Sequence, residues 1–142
     1  MKNSKAFTLI EIMVVLVIIG FIVSLIGPRI YKKFAQSERY KTEIILGKLK
    51  GAILEYKMDM GHYPKKQEGG LRALVDRPNV PNNEKWNGPY VDSDSDLQDA
   101  WAQDFEYNSP AEKYKNKFKI FEIISIGGEM ETDPAKEIVV GA

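Results

Sequence analysis

The sequence predicts an α+β fold: a long N-terminal membrane and stem helix packed against a small antiparallel β-sheet head. Three observations predict it. From Phe7 to Ile26 the only charged side chain is Glu11, and an apolar run of about 20 residues is what a helix rising about 1.5 Å per residue needs to cross a bilayer. From Ile45 to Met60 apolar residues recur at threes and fours, and Gly61 followed by Pro64 ends that pattern. Beyond it lie turn-rich stretches and two β-type runs, 118–126 and 138–140.

Composition sets the bounds. Removing the membrane segment leaves roughly 110 residues, enough for one domain and hardly for two. Twenty basic and 20 acidic residues give no net charge, which excludes a general polyanion binder. Cysteine is absent, so no disulfide staples the fold and no thiolate can act as nucleophile or metal ligand. The single histidine, His62, is expected to be structural.

Glu11 is the first residue to explain. A carboxylate within a spanning helix costs roughly 2.5 to 3.5 kcal/mol at the centre and less near the end, so it needs a partner. If Met1 to Ala6 were removed, Phe7 would carry a charged α-amine four residues before Glu11. That amine could serve Glu11 of its own chain or of an identical neighbour, and the neighbour pairing would fix the register of a bundle. The same cut removes Lys2 and Lys5, leaving 18 basic residues against 20 acidic ones. Lys2 and Lys5 before the helix are matched by Arg29, Lys32 and Lys33 after it, so local charge does not settle its orientation.

The helix is interrupted in sequence by Gly20, Gly27 and Pro28. Pro28 either kinks or locally extends the chain, or only marks the membrane exit. Past it, Tyr31, Phe34, Ile44, Ile45, Leu49, Ile53, Tyr56 and Met60 supply the apolar positions of a stem, with Lys41, Glu43, Lys48, Lys50 and Glu55 on the remainder. Gly47 and Gly51 are expected to let the helix pack closely against the head, in preference to acting as a dimerisation motif. Gly69-Gly70 then leads into a short helix whose Leu71, Leu74 and Val75 face the stem. Turns follow at 77–83, and Trp86 to Val91 reads as turns pinned by an aromatic anchor. Asp92, Asp94 and Asp96 form a solvated acidic loop, since the glycine and distal glutamate of an EF-hand are missing. Phe105 and Tyr107 should pair with 118–126 as an antiparallel hairpin, and the apolar character of the latter run places it centrally in the sheet.

Several of these stretches resemble one family. A leader ending in Lys5-Ala6, followed by Phe7-Thr8-Leu9-Ile10-Glu11 and an apolar helix, is similar to the class III signal of type IV prepilins and pseudopilins. Tyr56 to Pro64, Gln67 to Leu74 and Trp86-Asn87-Gly88-Pro89-Tyr90 resemble the major pseudopilin of type II secretion. Asp99-Ala100-Trp101-Ala102 resembles a further family segment, with alanines where that segment has Pro and Gly.

The resemblance implies a type IV pilin-like fold and a structural subunit rather than an enzyme. Residues 1–6 would be a leader, 7–27 a transmembrane and assembly helix, and 28–142 a periplasmic head that includes the rest of the stem. A prepilin peptidase would cut between Ala6 and Phe7 and methylate the new amine; Ala6 stands where the family usually has Gly. Phe7, Glu11 and Pro28 would be the assembly residues, with helical order lost near Pro28 on packing. The product would be a homo-oligomeric filament, a pseudopilus that drives export across the outer membrane. Its partners would be minor pseudopilins, an inner-membrane platform, an assembly ATPase and the lipid of the bacterial inner membrane, with no nucleic acid. The family also implies calcium after Gly127. Here Glu129, Asp133 and Glu137 would be the carboxylate ligands, joined by backbone carbonyls near 121–127, although the family's Asp-x-Asp-Ile ending is missing and Lys136 adds positive charge. The alternative for this loop is a polar turn into a last strand. Alternatives for the chain are a type IV pilin or minor pseudopilin, against which the missing C-terminal disulfide counts, and a membrane-anchored periplasmic enzyme or binding domain, for which no nucleophile elbow, phosphate loop or histidine metal site is found.

Overall fold

Helix α1 (Leu9–Met60) starts where Thr8 can cap it. The Thr8 hydroxyl and carbonyl both accept from the backbone N–H of Glu11, satisfying a donor that has no partner within the helix. It ends at Gly61, whose φ of +81° is the left-handed conformation that closes a helix and whose N–H bonds the Lys57 carbonyl at 2.8 Å. The computed structural model describes residues 7–128 and 137–142. They fall into two compact units, one ending at Gln36 and one running from Ser37 to Ala142.

The first unit is helical throughout from Leu9, with large apolar side chains exposed along its length. Pro28 lies inside the helix without breaking it, so the chain is not locally extended there. Among the described residues this is the one helix long and apolar enough to cross a membrane.

The second unit builds its core on one face of the helix. Leu46, Leu49, Ile53, Tyr56 and Met60 are buried at alternating spacings of three and four, which returns a side chain to the same face. Leu46 takes the core position expected of Ile45, which is only half-buried, and Ile44 is exposed. A 3-10 turn, Gly70–Leu74, presses Leu71, Ala73 and Leu74 into the same cluster, while Val75 stays half-buried. Trp86 is the expected anchor: its ring is buried and its Nε1–H donates to the Ala73 carbonyl at 2.8 Å. Tyr90 stacks edge-on against Tyr56 and Trp86 and donates to Asp59 Oδ2 at 2.8 Å, fastening this segment to the helix.

Three short strands close the unit: β1 (Glu106–Asn108), β2 (Glu122–Ser125) and β3 (Ile138–Gly141), in the order β1-β2-β3 with both pairs antiparallel. Ile123 lies opposite Tyr107 on one side and Val140 on the other. Strand β2 is central and buried at every position: Ile123 and Ile124 carry the apolar character expected of a central strand, and the polar Glu122 and Ser125 are buried with them. It is shorter than the expected 118–126 run. The N–H groups of Lys119, Ile120 and Phe121 converge on the single carbonyl of Ala142, so they cannot form a ladder with successive residues. The acidic stretch at 92–96 is a surface turn in which Asp96 accepts from the Ser93 N–H and Asp94 pairs with Arg72.

Gly47 and Gly51 do not pack against the head. Both are exposed, and a Cβ added at either would meet nothing within 4 Å. Their close-packing capacity is unused within the described chain.

Candidate functional site

At the N-terminal end, Thr8 and Glu11 occupy the first and fourth positions of a capping-box sequence, and this places the Glu11 carboxylate in the first turn of α1. The exposed N–H groups of a helix start favour a negative charge there. Phe7 precedes the helix and is largely exposed, so Phe7 and Glu11 are not related by one helical turn as the sequence spacing suggested. Pairing of a Phe7 amine with Glu11 therefore does not follow from helix geometry within one chain. Ala6 lies outside the described residues, and Pro28 is an exposed position inside the helix.

The second place of interest is the closure between β2 and β3. Glu122 is completely buried, yet its carboxylate is fully engaged. Oε1 accepts from Asn108 Nδ2 and from the backbone N–H groups of Glu112 and Lys113 at 2.9, 3.0 and 2.7 Å, and Oε2 accepts from the Tyr114 N–H at 2.7 Å. Burial alone would raise its pKa; the backbone N–H of Lys113, Asn108 and the other two amides outweigh it and hold the carboxyl below its ordinary range. The loop wrapped on Glu122 thereby presents two side chains to the residue before β3. Lys113 Nζ lies 2.7 Å from Glu137 Oε1, and the Tyr114 hydroxyl donates to Glu137 Oε2 at 2.6 Å. The Lys113 ammonium, then the Tyr114 hydroxyl, keep the Glu137 carboxyl below its usual value, and Glu137 in turn raises both partners.

This arrangement bears on calcium. The ion needs hard, negatively charged or carbonyl oxygens free to converge on it. Both oxygens of Glu137 are already used, one by an ammonium that would repel a second cation, and the Phe121 carbonyl accepts from the Ala142 N–H. As placed, Glu137 does not fit a calcium set. Glu129 and Asp133 lie outside the described residues. Among the described residues no group of three His, Asp or Glu side chains could hold a metal.

A third polar cluster ties the end of the helix to the head. Glu68 Oε1 meets His62 Nε2 at 2.8 Å, while Oε2 accepts from the Tyr56 hydroxyl and the Lys65 N–H, each at 3.1 Å. His62 thus lies between Glu68 and the Met60 carbonyl, 3.1 Å from its Nδ1. Sequence patterns did not single out Thr8, Glu122, Lys113 or Tyr114. The Thr-x-x-Glu spacing is a signal that could have found Thr8; the other three come together only through the β1–β2 hairpin and the strand that follows it.

Comparison with known proteins agrees with this architecture. The family model for type II secretion system (T2SS) protein G matches residues 29–139, and the prokaryotic N-terminal methylation motif matches residues 1–27. The chain is 36% identical over 114 residues to the type II secretion system core protein G of Klebsiella pneumoniae, covering 79% of each chain. It is 31% identical over 145 residues to that of Pseudomonas aeruginosa, covering 96% of this chain and 94% of the other. In structure it is similar to the major pseudopilin from the type 2 secretion system of enterohaemorrhagic Escherichia coli, with a TM-score of 0.55 at 24% identity over 77% of this chain and 90% of that one. An exposed apolar helix with one acid in its first turn, a head of matching fold, and family matches spanning nearly the whole sequence agree: the chain belongs to the type II secretion system protein G family, the major pseudopilins, and is a structural subunit of a pseudopilus.

Proposed function

We propose that the chain is cut after Ala6 by a prepilin peptidase, methylated on the Phe7 amine, held in the inner membrane by residues 7–27 with its head in the periplasm, and then withdrawn into a filament of identical subunits. Within the filament the Phe7 amine, still cationic after methylation, answers Glu11 of a neighbouring subunit. The observation that carries this reading is Glu11 itself: a lone carboxylate in the first turn of an otherwise apolar, exposed helical segment. Lipid offers that acid no partner, so leaving lipid for a bundle of like helices is favoured only where a cation waits at the right depth. Minor pseudopilins, the membrane platform and the assembly ATPase supply the other parts of this scheme. The subunit contributes contacts, not catalysis.

The test is assembly of Glu11→Ala and Glu11→Gln. Both variants should enter the membrane at the parent level. Both should lose filament by about a hundredfold, the factor that corresponds to breaking a buried charge pair of about 3 kcal/mol. Normal assembly of either variant would refute the pairing.

A further inference from the structure

We propose that the ammonium of Lys113 is the cation that closes strand β3 onto the head of this chain, standing where the resemblance to major pseudopilins implies calcium, and that the closure forms without the metal. The inference does not depend on the assembly reading, because every group in it belongs to the unit from Ser37 to Ala142. Lys113 and Tyr114 reach Glu137 from a loop whose backbone is fixed by other contacts. The N–H groups of Glu112, Lys113 and Tyr114 all donate to the carboxylate of Glu122, at 3.0, 2.7 and 2.7 Å, and Glu122 is completely buried in β2. Holding the ammonium in place therefore costs the freedom of one side chain and not of a loop. The Glu137 carboxylate is the hidden member of the pair, its side chain 11% exposed against 46% for Lys113. Nζ lies 2.7 Å from one oxygen, and the Tyr114 hydroxyl donates to the other at 2.6 Å. One carboxylate meets one ammonium and one neutral donor, so no negative charge is left over to draw in a divalent ion.

Glu137 immediately precedes β3, so what holds its carboxylate holds the entry of the strand. The exit is held by a second ammonium. Lys50 of α1 donates to the Gly141 carbonyl at 2.9 Å, and the Ala142 N–H donates to the Phe121 carbonyl at 3.1 Å. Between these two points Ile138 to Gly141 lie opposite Ser125 to Glu122 of β2. The fit at the exit is tight: a Cβ on Gly141 would collide with the Phe121 carbonyl and the Phe118 ring. The chain's own lysines thus secure the strand at both ends. Calcium enters at a disadvantage here. It needs six to eight oxygens, and to recruit Glu137 it must displace both an ammonium and a hydroxyl donor, leaving the ammonium tethered beside a doubly positive ion. Calcium sites of extracellular modules have a Kd of about 10⁻⁴ to 10⁻³ M, whereas a cation carried by the chain is present at every calcium concentration.

The experiment uses the full chain in detergent and reads hydrogen exchange of residues 138–141 together with the melting temperature, in chelator, in millimolar calcium and in millimolar magnesium. The parent should exchange this segment at the same rate within about two-fold, and melt within about 1 °C, in all three. Lys113→Gln keeps a hydrogen-bond donor and removes the charge; in chelator it should exchange residues 138–141 at least about ten-fold faster. Lys113→Arg, which keeps the charge, should stay within about three-fold of the parent. Lys115→Gln serves as the control for loss of a surface charge: Lys115 is exposed and has no ion pair among the described residues, so this variant should match the parent. A parent chain that loses protection of 138–141 in chelator and regains it with calcium but not with magnesium overturns the inference, as does a Lys113→Gln chain that exchanges this segment like the parent. The first of these needs no variant, so the parent in chelator and in calcium still decides the matter if Lys113→Gln does not fold.

Discussion

Two residues carry unusual conformational or solvation costs, and each gives a prediction. Ala102 has a φ of +59°, a region that disfavours any side chain and suits glycine. It is held there by Asp99, whose carbonyl accepts from the Ala102 N–H while its buried carboxylate accepts from the N–H groups of Trp101 and Gln103 and from the Ser125 hydroxyl. Ala102→Gly should therefore stabilise the head by about 1 kcal/mol, seen as a melting temperature higher by about 4 °C; an unchanged or lower value would show that the strain is not there. Glu122 is the second. Its buried carboxylate collects one side-chain and three backbone donors, so Glu122→Gln should destabilise by about 2 kcal/mol through donors left without an acceptor. The sign with pH follows from the same bonds. Glu68, Glu122 and Glu137 are all held below their ordinary value of 4.5 in the folded chain, so the stability they confer is complete above that pH and is lost as pH falls through their lower folded values. Denaturant melts between neutral pH and pH of about 3 should show this loss, with a shallower slope in Glu122→Gln.

At the level of elements, the C-terminal strand is fastened by side chains remote in sequence. Lys113 and Tyr114 hold Glu137 across 24 and 23 positions of chain, and the loop that bears them is shaped by Glu122 in the neighbouring strand. Lys113→Met frees one oxygen of Glu137. It should lower the melting temperature in chelator by a few degrees and gain more from millimolar calcium than the parent does, because ammonium and calcium compete for one carboxylate. Equal gains in the two proteins would show that they do not. Such long-range bonds also mark where the amino-acid sequence stops being legible. Local chemistry is legible: the Gly61 stop, the Trp86 anchor, the turn between Tyr107 and β2, and the central place of Ile123 and Ile124 all follow from neighbouring residue types. The Glu122 and Glu137 clusters are not, since nothing local distinguishes Lys113 from the other lysines of its loop. Gly47 and Gly51 were expected on the wrong face for a related reason. The stem carries two stripes of threes and fours, and periodicity alone does not say which of them faces the head.

For the whole molecule, the division of labour follows the chain. The head unit from Ser37 to Ala142 has its own core of helix, turns and three-stranded sheet, whereas the unit ending at Gln36 exposes apolar side chains that only lipid or other helices can cover. The apolar run and its single acid are plain in the sequence because a membrane imposes so strict a pattern. The fate of the segment preceding Phe7 is expected only from resemblance, and Ala6 is a departure from it. The direct measurement is the mass and N-terminal residue of the chain recovered from filaments in cells that carry the secretion machinery. The account predicts a single species beginning at Phe7 with a methyl group on its amine; filaments built from chains that still begin at Met1 would contradict it, because Glu11 would then have assembled without the cation assigned to it.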